Sequence, residues 1–225
     1  ELIFSTDLTN GLFNERTYGT LSIVPAIETT LAGGGVITWR AGLTADYSNR
    51  DSSAVSPLLG VSLDRSDTRG TTVWSLEFAE ATQLPGYTAL NSNPTGLFGG
   101  NPLLGRESAR QLSASVLRET SGWRLHAALF LREDEDLVDW TFAVAAPFSR
   151  QANPVDIDVA GAEVVMTWQW VRLDLTAGYT WLDKDADYGS TQVDASFYAL
   201  NFARHRATLA MRYRLTDAVE FRFDN

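Results

Sequence analysis

Apolar and polar residues alternate almost without error through successive segments of this chain. No other feature constrains its fold as tightly. Val171, Leu173, Leu175, Ala177, Tyr179 and Trp181 share one phase, and Arg172, Asp174, Thr176, Gly178 and Thr180 share the other. Ile37, Trp39, Ala41, Leu43, Ala45 and Tyr47 alternate in the same way with Thr38, Arg40, Gly42, Thr44 and Asp46. So do Ala207, Leu209, Met211, Tyr213 and Leu215 with Arg206, Thr208, Ala210, Arg212 and Arg214. A strand turns successive side chains to opposite faces, so each segment predicts a strand with one apolar and one polar face. Recurrent segments of about ten residues, aromatic-rich at the ends of the apolar phase, are the pattern of a β-barrel wall in a membrane. The predicted fold class is therefore all-β: an antiparallel, up-and-down transmembrane barrel.

The composition is consistent with this reading. No apolar run approaches the roughly 20 residues that a membrane-spanning helix needs. A mean hydropathy of −0.12 does not oppose insertion, because only alternate residues of a barrel strand face lipid. There are no cysteines, and hence no disulfide framework and no thiolate metal site. The net charge is −10 and Lys184 is the only lysine; an acidic chain without a basic cluster is not a nucleic-acid binder.

The spacing predicts strands at Thr17–Thr30, Val36–Ser48, Ala54–Arg65, Thr71–Thr82, Ser108–Glu119, Trp123–Glu133, Asp158–Gln169, Val171–Asp183, Arg204–Leu215 and Ala218–Asp224. Asp136–Phe142 is expected as a short edge inside a loop. Tight connections (Ala32–Gly35, Ser66–Gly70, Thr120–Gly122, Gln169–Val171, Thr216–Asp217) alternate with mostly long ones (Gln83–Glu107, Asp134–Ile157, Lys184–Ala203), only Asn49–Ser53 being short. Turns at one end and loops at the other is the outer-membrane arrangement, with turns periplasmic and loops outside. Gly33–Gly35 and Ser121–Gly122 are expected to supply positive φ in two of the turns. Trp39, Trp74, Trp123, Trp168, Trp170 and Trp181 all fall in the apolar phase, as expected of rings that collect at a membrane–water boundary.

A family resemblance rests on particular stretches. Val73-Trp74-Ser75-Leu76-Glu77-Phe78-Ala79-Glu80-Ala81 leads into Gln83-Leu84-Pro85-Gly86-Tyr87. Gly100-Asn101-Pro102-Leu103-Leu104 follows, with Glu107-Ser108 just after it. Next come Ala128 to Val138, then Asn153 with Ala160-Gly161-Ala162-Glu163. The series closes with Ala177-Gly178-Tyr179-Thr180-Trp181-Leu182-Asp183 and Arg204-His205-Arg206-Ala207-Thr208-Leu209. In this order and spacing they resemble a late stretch of the barrel of TonB-dependent outer-membrane receptors, in their cobalamin- and siderophore-receptor-like branch. Glu1–Ser66 matches only as generic barrel strands.

The resemblance implies a 22-stranded closed barrel with a plugged lumen, of which about ten strands are visible here. It implies an outer-membrane location, contact with the lipid bilayer, and coupling to the TonB complex through a plug and TonB box. It also implies import of a scarce small-molecule ligand such as a ferric siderophore, a cobalamin or another metal chelate. No part of residues 1–225 resembles the plug or the TonB box, and the last strand stops at Phe223-Asp224-Asn225 rather than closing on Phe. The expectation is therefore a partial receptor barrel that transports nothing by itself. Two rivals remain: a small self-contained outer-membrane barrel (an enzyme or a passive pore), and a soluble β-sandwich binding module.

No catalytic constellation is recognisable. His126 and His205 are the only histidines; His126 shares the polar face with Arg124 and Arg132, near Ser113 and Ser115, and is expected to be an ordinary lumen residue rather than a catalyst. The expectation is a non-enzyme without a cofactor. Asp183, Asp185 and Asp187 have a spacing that could offer oxygens to Ca²⁺. These acids, and Glu133, Asp134, Glu135, Asp136 and Asp139, are expected rather to form solvated acidic loops. Tyr87, Phe98, Trp140, Phe142, Phe148 and Tyr188 are loop aromatics that either line a ligand vestibule or pack loop against loop. Gly100, Asn101, Pro102, Glu107, Gly161 and Glu163 are the motif positions that carry the resemblance. Arg40, Asp46, Arg172, Asp174, Arg206 and Arg212 are expected to build salt-bridge ladders along the lumen.

Overall fold

Strands form where the alternation requires them. A computed structural model describes residues 16–51, 53–93, 95–145, 149–197, 199 and 202–225. It contains β1 (Tyr18–Ile23), β2 (Ala26–Thr30), β3 (Val36–Ser48), β4 (Ala54–Asp67), β5 (Gly70–Gln83), α1 (Tyr87–Asn91), β6 (Phe98–Gly99) and β7 (Glu107–Glu119). β8 (Trp123–Phe142), β9 (Arg150–Gln169), β10 (Leu173–Asp187), β11 (Ala195–Ser196), β12 (His205–Arg214) and β13 (Glu220–Asp224) follow. The main path is an antiparallel meander in the order β1-β3-β4-β5-β7-β8-β9-β10-β12-β13. Among the described residues β1 and β13 do not pair with each other, so the sheet is an incomplete, unclosed barrel. A self-contained barrel would have joined them.

Residues directly opposite in an antiparallel ladder share a face, so the registers define rows across the wall. Ile37, Leu63, Trp74, Val116, Ala127, Val164, Tyr179 and Ala207 form one row; Trp39, Val61, Leu76, Ala114, Leu129, Ala162 and Trp181 form the next. These apolar side chains are not packed against a second sheet. Leu129 is 64% exposed, Leu59 53% and Trp39 53%. That removes the soluble-sandwich reading, whose apolar face would be buried.

Charged residues mark both ends of the apolar band. Glu80, Arg110, Glu133, Asp158 and Asp185 cross the sheet at the loop end, and on β4 and β7 Arg65 and Arg118 mark the turn end, in a row that runs on through Leu125 and Met166. On β7 the two boundaries, Arg110 and Arg118, lie eight residues apart. At about 3.4 Å per residue and about 40° of tilt that is about 21 Å of height, close to the roughly 25 Å apolar band of an outer-membrane barrel. At the turn end Trp123 pairs with Trp168, which stacks on Trp170 with ring centroids 6.4 Å apart.

The opposite face is polar. Arg40 reaches Glu77 at 2.9 Å across Gly60, which stands between them in register. Asp174 pairs with Arg212, and the Thr20 hydroxyl donates to Asp46 at 2.5 Å. Arg172 instead donates to the Leu215 carbonyl at 3.4 Å. The expected charged lining is thus present as isolated pairs.

Three expectations need correction. The stretch expected as the single strand Thr17–Thr30 is β1 and β2, both paired to β3, because Pro25 has no N–H to continue the ladder. The loop expected at Asp134–Ile157, with its short edge Asp136–Phe142, is mostly strand: β8 and β9 are each 20 residues long and run on past the wall as one hairpin. A β-bulge between Asp134 and Leu137, with Asp136 at φ 55°, shifts the phase of β8, and that shift hides the strand from a period-two reading. Finally, Gly34 and Gly35 take positive φ as expected, but Gly33 and Gly122 do not. The Thr120 hydroxyl closes that turn by accepting the Gly122 and Trp123 N–H groups at 3.3 and 3.1 Å.

Candidate functional site

Beyond the bulge the β8–β9 hairpin becomes the centre of a folded head. Two long connections, from opposite sides of the sheet, cross it and pair with its far edges. The β5–β7 connection delivers β6 to β9, with Phe98 opposite Arg150 and Gly99 opposite Gln151. The β10–β12 connection delivers β11 to β8, with Ala195 opposite Phe142 and Ser196 opposite Thr141. They cross on opposite faces. Ala89, Leu90 and Leu104 pack with Ala152, Val138 and Trp140 on one face. Ala199 and Tyr188 pack with Val155, Ile157, Val159 and Leu137 on the other. The hairpin is therefore clasped from both sides.

Carboxylates expected in solvent hold this clasp. Asp139 is fully buried and accepts the Ala199 N–H at 2.9 Å, the Phe197 N–H at 3.2 Å and the Tyr188 hydroxyl at 2.9 Å. Asp134 is also buried and is held by Arg132 at 2.6 Å. At the bulge Asp156 accepts the Asp136 N–H at 2.9 Å, and Glu107 accepts the Val138 N–H. Burial pushes the Glu107 carboxyl up, the Val138 bond opposes this and the Asp134 charge adds to it.

Burial and, secondarily, the hydrogen bond and charge of Asp139 push the Tyr188 phenol up to about 12, against a bond to Ser196 that lowers it. A raised pKa leaves the contribution of this bond intact below pH 10.0, the ordinary value, and removes it as pH climbs toward about 12. The Tyr188 phenolate is thus expected to form only as pH approaches about 12, together with loosening of the β10–β12 connection, and is read as the part of the tyrosinate absorbance change that Tyr188→Phe removes. Removal by Tyr188→Phe of absorbance that develops near pH 10 would contradict this.

The remaining loop aromatics also engage neighbours. Phe98 meets Trp140 edge to face at 5.3 Å and Phe197 at 6.2 Å, where the two connections approach each other. Arg150 lies 4.5 Å over the Phe142 ring, and Arg16 lies 4.9 Å over Tyr87, which is buried. Phe148 lies outside the described residues. The motif positions have local reasons. Gly100 donates to the Ser92 carbonyl at 3.3 Å, and a Cβ there would stand 2.7 Å from the Ser92 nitrogen. Asn101 accepts the Leu103 N–H through its side chain at 3.0 Å, and its backbone N–H reaches the Ala89 carbonyl at 2.7 Å. With Pro102 they turn the chain so that Leu104 enters the cluster beside α1. Gly161 lies beneath the ring of its cross-strand partner Phe130, and Glu163 is 3.6 Å from His126 on the polar face. A Cβ at Gly161 would penetrate that ring, so Gly161→Ala is expected to cost about 1–3 kcal/mol in thermal unfolding, as overpacking does.

Asp183, Asp185 and Asp187 lie along the outer end of β10, which runs four residues past its expected end. Alternate residues of a strand stand about 7 Å apart and project in parallel. Asp183 is paired to Arg204 at 2.9 Å, and no group of three acidic or histidine side chains among the described residues converges on a metal-sized point. Sequence reading gave no sign of one further feature. Arg16 and Arg106 line a cleft of 380 Å³ at the loop end of the wall, and Arg50 lies near Arg16.

An open antiparallel wall, apolar on one face, polar on the other and capped by interlocked loops, is an unclosed segment of a large β-barrel. The chain belongs to the TonB-dependent receptors: residues 13–224 match the family model "TonB dependent receptor-like, beta-barrel". Its fold is similar to that of the FrpB iron transporter from Neisseria meningitidis (16% identity, TM-score 0.61, 92% of this chain and 32% of that one). It is also similar to the copper transporter OprC (12%, TM-score 0.60, 89% and 32%) and the siderophore receptor PirA from Pseudomonas aeruginosa (14%, TM-score 0.58, 92% and 44%). The chain thus spans about a third to under a half of the length of these structures. No curated protein matches its sequence.

Proposed function

We propose that this chain forms part of the wall and the outer loop head of an outer-membrane receptor that imports a scarce metal chelate, such as a ferric siderophore, by TonB-coupled active transport. The apolar band carries the membrane part of this reading. Its exposed Leu, Trp and Val rows lie between charged residues at the spacing of a bilayer core. The iron, copper and siderophore names of the similar structures support the ligand class. Plug and TonB box lie in the remainder of the receptor, and this segment supplies no catalysis. The loop aromatics Tyr87, Phe98, Trp140, Phe142 and Tyr188 act chiefly by holding the head in shape, so that ligand meets a preformed surface rather than mobile loops.

The test is uptake of radiolabelled iron and copper chelates, with cobalamin as the alternative cargo, by cells expressing the complete receptor. Accumulation that stops when TonB is deleted supports the reading. Accumulation unaffected by that deletion indicates a passive pore.

A further inference from the structure

A groove runs down the apolar face of the wall from its loop end. The upper part, 520 Å³, lies among Leu131 and Ala160 and, above them, Arg110, Glu133, Asp158 and Asp185. The lower part, 420 Å³, lies among Ile27, Trp39, Leu59, Val61 and Leu76. Phe78 and Leu112 line both parts, so the two are continuous. From Arg110 to Ala114, which stands opposite Leu76, is four residues of β7. At the tilt used above that is about 10 Å of height, half of the apolar band and hence the depth of one leaflet. The long connections leave the wall at this end, which makes it the outer leaflet.

The groove therefore changes from charged to apolar along its length, as an amphiphile does. Its charged end also has a definite sign. Glu133, Asp158 and Asp185 stand directly opposite one another in register across β8, β9 and β10. Arg110 lies 3.7 Å from Glu133 and also pairs with Glu135, and Arg204 holds Asp183 at 2.9 Å. Asp158 and Asp185 have neither an ion pair nor a side-chain hydrogen bond among the described residues. Like charges directly opposite destabilise a sheet, and a lipid boundary weakens them less than water does. A cation at this level removes that cost. Because no three acids among the described residues converge on a metal-sized point, an ammonium group on a flexible headgroup fits the row better than a bare ion. Arg110, two strands from Asp158, is placed for the phosphate of such a headgroup.

We propose that this groove seats one lipid of the outer leaflet, its acyl chain along Leu112, Phe78 and Leu76 and an ammonium-bearing phosphate headgroup against Asp158 and Asp185. The inference rests on the membrane placement above and adds a site, a leaflet and a headgroup chemistry. The experiment places the complete receptor in nanodiscs of equal phosphatidylethanolamine and phosphatidylglycerol, and native mass spectrometry reads the lipid that stays bound when the disc is removed. One ethanolamine lipid is expected to be retained, about tenfold in preference to the glycerol lipid. The double variant Asp158→Asn/Asp185→Asn is expected to lose most of that preference, and Leu112→Trp, which fills the groove where its two parts meet, to lose retention of both lipids.

The amount of folded receptor recovered in discs separates lost seating from lost folding. Equal retention of the two lipids, or a preference unchanged in the double variant, overturns the headgroup assignment. Retention unchanged in Leu112→Trp overturns the groove. Added lipopolysaccharide that displaces the ethanolamine lipid and is stripped by a chelator overturns the ammonium in favour of a glycolipid bridged by divalent cations. Each of these leaves the membrane placement standing. That placement fails on different ground, if the folded receptor does not enter the discs, and the proposal then falls with it.

Discussion

Asp139→Ala is expected to release the β10–β12 connection from the head while leaving the wall intact. The carboxylate is fully buried and, among the described residues of that connection, accepts hydrogen bonds from the Ala199 and Phe197 N–H groups and the Tyr188 hydroxyl. Removing one acceptor strands all three donors in an apolar cluster of Val155, Ile157 and Ala199. A stranded buried donor costs about 1–3 kcal/mol and the three are not additive, so about 3–5 kcal/mol of local stability is at stake. That is enough to unfold one connection and far too little to unpair a wall of ten strands. Limited proteolysis of the receptor in membranes should therefore cut within Lys184–Ala203 in the variant and spare it in the wild type. Asp139→Asn retains a carbonyl acceptor and should fall between. Equal resistance of wild type and Asp139→Ala would show that packing alone holds the clasp.

Leu129→Arg has the second large expected effect. Leu129 lies near the middle of the apolar band on β8, opposite Ala114 and Ala162, with its side chain 64% exposed. In water such a leucine would gain from replacement by a charged residue. Facing lipid, arginine near the bilayer midplane costs about 2–4 kcal/mol. The expected result is a clear loss of folded receptor from the outer membrane, whereas Ala128→Arg, one residue away on the polar face, loses much less. Equal tolerance of both would place water on both faces.

Much of the wall was legible in the sequence because a period of two is a local signal. The ends of β3 fall where the alternation of Val36–Ser48 places them, whereas the long connection expected at Asp134–Ile157 is mostly strand. The head was not legible, and Asp139 shows why. Glu133, Asp134, Glu135, Asp136 and Asp139 read as a solvated acidic run, yet one residue at positive φ moves β8 out of phase and carries Asp139 inside. The partners that make its burial tolerable, Tyr188, Phe197 and Ala199, come from a connection about fifty residues on. The arginine cleft was hidden for the same reason: Arg16, Arg50 and Arg106 are isolated in sequence and meet only through the β1–β3 pairing and the turn at Gly100-Asn101-Pro102. The motif positions could be recognised as a pattern, but their reasons, such as the Phe130 ring over Gly161, required the register.

The measurement closest to the central claim is a cysteine accessibility scan along β9 and β10 of the complete receptor in native membranes. Single cysteines are introduced from Ala160 to Gln169 and from Leu173 to Asp183, in a chain segment that contains none of its own. Cysteines replacing Ala162, Val164, Met166, Tyr179 and Trp181 should react with a lipid-soluble maleimide and resist a charged one. Those replacing Gly161, Glu163, Thr176, Gly178 and Thr180 should show the reverse. A period of two with this phase supports a barrel wall with its apolar rows in lipid. Reaction of both sets with the charged reagent, or protection of both from either reagent, would contradict it.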